Sequence, residues 1–145
     1  MKYFIMSLLL VSLFSNAKSI KSNPCIKPTA SADTVMIDKM VSDMNIDFRS
    51  LNRSRTRSSL IANSGVSSSL IQQFAKETFS ESTDKLVSLN ELEEIFGSDN
   101  VRNLIIEFTY EDKTGKKNVF LVSQLVNDYE CGVRFNGYLT VSREF

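Results

Sequence analysis

Histidine is absent from this 145-residue chain. The usual general base near neutral pH and the commonest metal ligand are therefore missing, which excludes Ser-His-Asp and Cys-His catalytic sites. Neither charge is in excess. With 17 basic and 17 acidic residues, the chain as a whole offers nucleic acid or an anionic membrane no attraction. No apolar run reaches the roughly 20 residues that a membrane-crossing helix needs, and no internal repeat is visible. There are only two prolines, Pro24 and Pro28, and they bar regular helix from the polar stretch 18–31.

What is present begins with an export signature. Lys2 precedes an apolar run from Tyr3 to Phe14, and the small residues Ser15 and Ala17 occupy the −3 and −1 positions of a cleavage site. Residues 1–17 read as a signal peptide and 18–32 as an extended arm. Residues 33–145 are long enough for a single domain with one core. Loss of Lys2 leaves 16 basic and 17 acidic residues, a net charge of about −1. The expected location is periplasmic or secreted, with no integral membrane segment after processing. There the only two cysteines, Cys25 and Cys131, are expected to form a disulfide. Closing a loop of about 105 residues contributes roughly 4 to 5 kcal/mol on the chain-entropy account and pins the arm to the C-terminal sheet. Ser22, Asn23 and Pro24 do not form a lipoprotein signal ahead of Cys25.

Ile37, Val41, Met44, Phe48 and Leu51 recur at spacings of four and three, which predicts one helix from about Asp33 to Asn52 with this stripe facing the core. Ser31 or Asp33 would cap it. The Arg- and Ser-rich stretch 53–69, containing Gly65, reads as a mobile connector. Ser67 then caps a helix with inner residues Leu70, Ile71, Phe74, Thr78 and Phe79. Ser88 and Glu91 have the spacing of a capping box ahead of a short helix ending at Gly97. From Leu104 the period becomes two, with Leu104, Ile106, Phe108 and Tyr110 on one face of a strand. Lys113, Thr114 and Gly115 supply a turn. Asn118 to Val126, apolar on both faces, predicts a central strand. Tyr129 to Phe135 and Tyr138 to Arg143 predict a hairpin around Asn136 and Gly137. The fold class is α+β, with N-terminal helices packed on one face of a C-terminal antiparallel sheet of three to four strands.

Several patterns could carry chemistry. Ser82-Thr-Asp-Lys85, Ser98-Asp-Asn100 and Lys113-Thr-Gly115 follow the order of the three motifs of serine β-lactamases and penicillin-binding proteins. All three fall within 34 residues, and the third lies in a turn where that chemistry needs a core strand. Ser15 to Lys18 matches the first motif equally well. No enzyme is expected, although a small hydrolase using Ser82 and Lys85 is the reading these motifs would support. Glu91, Glu93 and Glu94 lack the alternating oxygen ligands and glycine of a calcium loop. Glu107 and Glu111 share a strand face but stand too far apart for an acid and base pair. No metal or other cofactor is expected. Asn52-Arg-Ser54 is a glycosylation sequon, relevant only in a eukaryotic secretory pathway. Phe145 ends the chain as outer-membrane barrel strands end, yet the strand count is too small for a barrel.

The one charge concentration is Arg49, Arg53, Arg55 and Arg57, four guanidiniums without an intervening acid. Such a cluster can grip carboxylates or phosphates bidentately as an anion- or partner-binding surface. Alternatively, it solvates a frayed helix end and complements its negative dipole. Without interleaved aromatics it does not suit single-stranded nucleic acid.

In layout the chain resembles the YebF and colicin M immunity group of small exported bacterial proteins. The shared features are a signal peptide, the early Cys25, an amphipathic helix, Val87-Ser-Leu89 opening a short helix, a long hairpin, and Cys131 seven residues before Tyr138. The chain differs in its Arg- and Ser-rich connector and in having Arg134 where that group has glycine. The resemblance implies an α+β fold with one disulfide and a non-enzymatic envelope role, and it carries over no functional residue. The expected function is therefore that of an exported, non-enzymatic protein of the bacterial envelope that binds another macromolecule as an inhibitor, immunity protein or accessory factor. Its contact surfaces would be the arginine cluster and exposed strand edges. The alternative is a structural accessory subunit of a pilus, secretion or membrane-sensor assembly. The expected partner is another protein and not a nucleic acid.

Overall fold

The computed structural model describes residues 23–145. The signal-peptide assignment and the first residues of the arm lie outside them. Three helices, α1 (Ser31–Met44), α2 (Ser68–Glu81) and α3 (Leu89–Gly97), accompany four strands, β1 (Arg57–Gly65), β2 (Arg102–Glu111), β3 (Lys117–Val126) and β4 (Arg134–Arg143). The strands form one antiparallel sheet in the order β1-β2-β3-β4, so β2 and β3 are central. This is the expected α+β class.

α1 packs on one sheet face. Ala32, Met36 and Met40 are fully buried against Leu104, Ile106, Phe108, Tyr110, Phe120 and Val122. The alternation read in β2 holds, with each even-numbered residue from Leu104 to Tyr110 inside. The helix stripe does not hold as expected. The buried stripe runs through Ala32, Asp33, Met36 and Met40, displaced around the helix from Ile37 and Val41, and Val41 and Phe48 are 45% and 54% exposed. The helix also stops early. Asn45 adopts the left-handed conformation at φ 56° and the Ile46 amide donates to the Met40 carbonyl at 3.1 Å, a glycine-type helix stop that asparagine tolerates. Neither expected cap is used: Ala30 is the N-cap, and Asp33 accepts a hydrogen bond from the Thr29 amide instead.

The stretch 53–69 is not a simple connector. After one 3-10 turn at Arg53–Arg55 it forms β1, an edge strand with its register shifted at Ile61. Only Ser58 and Leu60 of this strand are even half-buried, so its sequence carries almost no alternation to read. Ser67 does cap α2, its hydroxyl oxygen accepting the Leu70 amide, and Ser88 with Glu91 forms the expected capping box on α3.

The hairpin expected around Asn136 and Gly137 is instead one continuous strand. The β3–β4 connection lies at Asn127–Glu130, where the Asn127 side chain accepts the Tyr129 and Glu130 amides. Asn136 is skipped in the pairing between β3 and β4. Its amide donates to Asn103 and Ser123 across the sheet, and Gly137 absorbs the irregularity at φ 134°. The chain's last residues are tied down by the buried Asn118, which donates to the Phe145 carbonyl and accepts the Glu144 and Phe145 amides.

α2 and α3 pack on each other rather than beside α1, and they form a second cluster of Phe74, Ala75, Leu92, Phe96 and Val101 around Leu125. By strand alternation Leu125 points away from Val122, so this pair covers one end of the opposite face. Arg134 fastens it to β4, reaching Glu77 at 3.0 Å, Thr78 at 3.2 Å and the ring of Phe74 at 4.4 Å. Cys25 and Cys131 form the expected disulfide, Cα to Cα 5.0 Å, joining the turn Pro24–Ile26 to the β3–β4 loop. Beside it, a Cβ on Gly132 would meet the Ser31 hydroxyl at 2.6 Å, so a larger residue there would have to displace the Ser31 side chain at the start of α1.

Candidate functional site

The sharp end of α1 creates the most prominent concavity. Ile46 and Leu51 are both buried, and they anchor the two ends of the segment that follows the helix. Between these anchors a 3-10 turn at Phe48–Ser50 is pushed outward. Asp47 caps it by accepting the Arg49 amide at 2.8 Å, and the Ser50 amide donates to the Asp47 carbonyl at 2.9 Å. The segment is stitched to the sheet beyond it: the Asn52 amide donates to Glu111 at 2.8 Å and the Lys113 amide to Ser50 at 3.0 Å.

A groove of about 720 Å³ results. One wall is α1, contributing Thr34, Ile37, Asp38, Val41 and Ser42, and the other comprises Asp47, Phe48, Arg49 and Arg53. Its apolar surface comes from three members of the predicted core stripe, Ile37, Val41 and Phe48. The stripe was wider than the core required, and its surplus half faces this groove.

The four arginines separate into different roles. Arg53 donates both terminal nitrogens to Asp33, a carboxylate only 1% exposed that also accepts the Tyr110 hydroxyl at 3.0 Å and the Thr29 amide at 2.9 Å. This network joins α1, the turn at Arg53–Arg55 and the centre of the sheet. The hydrogen bond to Asp33 raises the Arg53 guanidinium above its ordinary value. Burial, reinforced by the Asp33 charge, pushes the Tyr110 phenol far up. Asp33 was visible in the sequence only as a possible helix cap. Nothing local marks a carboxylate for burial when its partners lie 20 and 77 residues away.

Arg55 pairs with Glu111 at 2.6 Å on the surface. Arg49 and Arg57 make no side-chain hydrogen bond or ion pair among the described residues. The cluster thus divides into Arg53, which holds the fold; Arg55, which braces it; Arg49, at the groove and unpaired among the described residues; and Arg57, on β1 away from it.

The motifs reminiscent of serine acyl-enzymes are not assembled in the way that chemistry requires. Ser82 is at the C-terminal end of α2 and donates to Asp84, whereas Lys85 turns back to donate to the Phe79 carbonyl and lies 4.2 Å over the Phe79 ring. Lys113 to Gly115 form the β2–β3 turn. Among the described residues no group of three or more metal-ligating side chains converges, and no helix is long and apolar enough to cross a membrane. Smaller hollows exist elsewhere on the surface. One of about 350 Å³ sits beside the disulfide near Asn100, Arg102 and Tyr129, and one of about 380 Å³ lies on the uncovered sheet face by Ile105, Leu121 and Leu139.

No protein-family model matches the chain, and neither a curated protein nor a solved structure is detectably similar to it.

Proposed function

We propose that this is an exported, disulfide-stapled, non-enzymatic protein, periplasmic or secreted, that binds another protein through the groove between α1 and the Phe48–Ser50 turn. The observation that carries this reading is the exposure of Val41 and Phe48, 45% and 54%, beside an Arg49 guanidinium with no partner among the described residues. A protein that buries a complete core yet leaves an apolar floor rimmed by an unengaged arginine has the composition of an interaction surface. The disulfide supports an oxidising compartment. The layout resemblance to the YebF and colicin M immunity group points to the same kind of role, an inhibitor, immunity protein or accessory factor of the bacterial envelope.

The test is capture from a native envelope fraction by the mature, oxidised chain, run beside Val41→Asp and Arg49→Glu. Both substituted positions are exposed, so the variants should melt within a few degrees of wild type. A partner retained by wild type and lost by both variants is the expected result. Capture that ignores both substitutions would remove the groove from the function.

A further inference from the structure

We infer that the groove receives a linear segment of the partner, carrying one apolar anchor flanked by opposite charges, an acidic residue toward Arg49 and a basic residue toward Asp38. This rests on the protein-binding reading above and specifies its chemistry.

The inference follows from which charges remain available. The groove has two cationic and two anionic side chains, but they are not equivalent. Arg53 is already committed to Asp33, and one oxygen of Asp47 accepts the Arg49 amide in capping the turn, which directs that carboxylate back to its own backbone. Arg49 on the turn wall and Asp38 on the helix wall make no ion pair or side-chain hydrogen bond among the described residues. The walls therefore present unpaired charges of opposite sign beside the apolar surface of Ile37, Val41 and Phe48. A uniformly anionic ligand, such as a phosphodiester chain or a lipid headgroup, would gain at Arg49 and lose at Asp38, and a uniformly cationic one the reverse. A segment with both signs on either side of an apolar residue satisfies both walls and the floor at once. The groove is open and, at about 720 Å³, has room for an apolar side chain between its walls. The walls are fixed by α1 on one side and by the stitched 46–52 segment on the other, so the site exists before the partner arrives and binding orders little of this chain.

The probe is a random twelve-residue peptide library displayed on phage and selected on the mature, oxidised chain. The expected consensus is an aliphatic or aromatic residue with Asp or Glu on one side and Lys or Arg on the other. The double variant Asp38→Lys with Arg49→Glu should select the reversed order of flanking charges. It should also bind the original consensus peptide on the order of tenfold more weakly. Val41→Asp should bind it not at all, and Val41→Thr should weaken it, which covers the case in which the aspartate disturbs the helix. An apolar consensus without flanking charges, or the same charge order on wild type and double variant, would overturn the inference. So would concentration-dependent self-association abolished by Val41→Asp, which would assign the groove to a second copy of the chain. If no consensus emerges while envelope capture still depends on Val41 and Arg49, the binding reading stands and the linear-segment inference falls. A charge-flanked consensus without any envelope capture would support the groove chemistry and remove the proposed function.

Discussion

Asp33 and Arg53 show how little a residue's type says about its role until its surroundings are known. Four arginines within nine residues look interchangeable in the sequence, and both readings of them, a gripping surface or a solvated helix end, treated them as one unit. The fold gives them separate work because only Arg53 faces a buried carboxylate. Removing it leaves Asp33 buried and short of its cation, which costs about 3 kcal/mol for a pair of this kind. Arg53→Gln should therefore lower the urea unfolding free energy by that order. Arg49→Gln should leave it unchanged to within about 0.5 kcal/mol. Equal losses in the two variants would mean that Asp33 does not discriminate between them.

The elements that could be read were those whose pattern depends on near neighbours. The capping box at Ser88 and Glu91 is such a case, and Ser88→Ala should cost about 1 kcal/mol of stability in thermal melts. β2 was legible because one face is completely buried, and β3 because it is flanked on both sides. β1 was illegible because an edge strand that buries only parts of Ser58 and Leu60 has no face to display. The length of α1 was misread for a different reason. Phe48 and Leu51 continue the helical spacing by coincidence, while the stop depends on Asn45 adopting positive φ, a choice any sequence scan would assign to glycine first. Asn136-Gly137 failed in the opposite sense, since a dipeptide that favours tight turns was recruited as an irregularity within a strand.

The β2–β3 turn supplies a pH dependence. Burial pushes the Asp112 carboxyl up. Hydrogen bonds from the Thr114 hydroxyl and from the Lys116, Thr114 and Gly115 amides outweigh this and hold it below its ordinary value of 3.8. Because the folded value is the lower one, the turn's contribution is complete above the ordinary value and is lost as pH falls through the folded value. Unfolding midpoints should thus drop more steeply below about pH 4 in wild type than in Asp112→Asn. Parallel curves would show that the turn does not titrate.

At the scale of the molecule, two hydrophobic clusters share one sheet, and the covalent bond lies at the margin of the larger one. Cys131→Ser should lower the unfolding free energy by a few kcal/mol, toward the roughly 4 to 5 kcal/mol expected for a loop this long. Identical melting with and without reductant would contradict this. None of the groove's lining residues belongs to the two segments that this bond joins, the turn Pro24–Ile26 and the β3–β4 loop. Reduction should therefore weaken the scaffold without altering any residue of the groove. The 106-residue spacing between the two cysteines also sets an order of events. The first thiol to leave a ribosome or a translocation pore must wait for nearly all of the sheet to follow it. Oxidation is thus a late maturation step, and until then the nascent chain holds a reactive sulfur that a premature partner could trap.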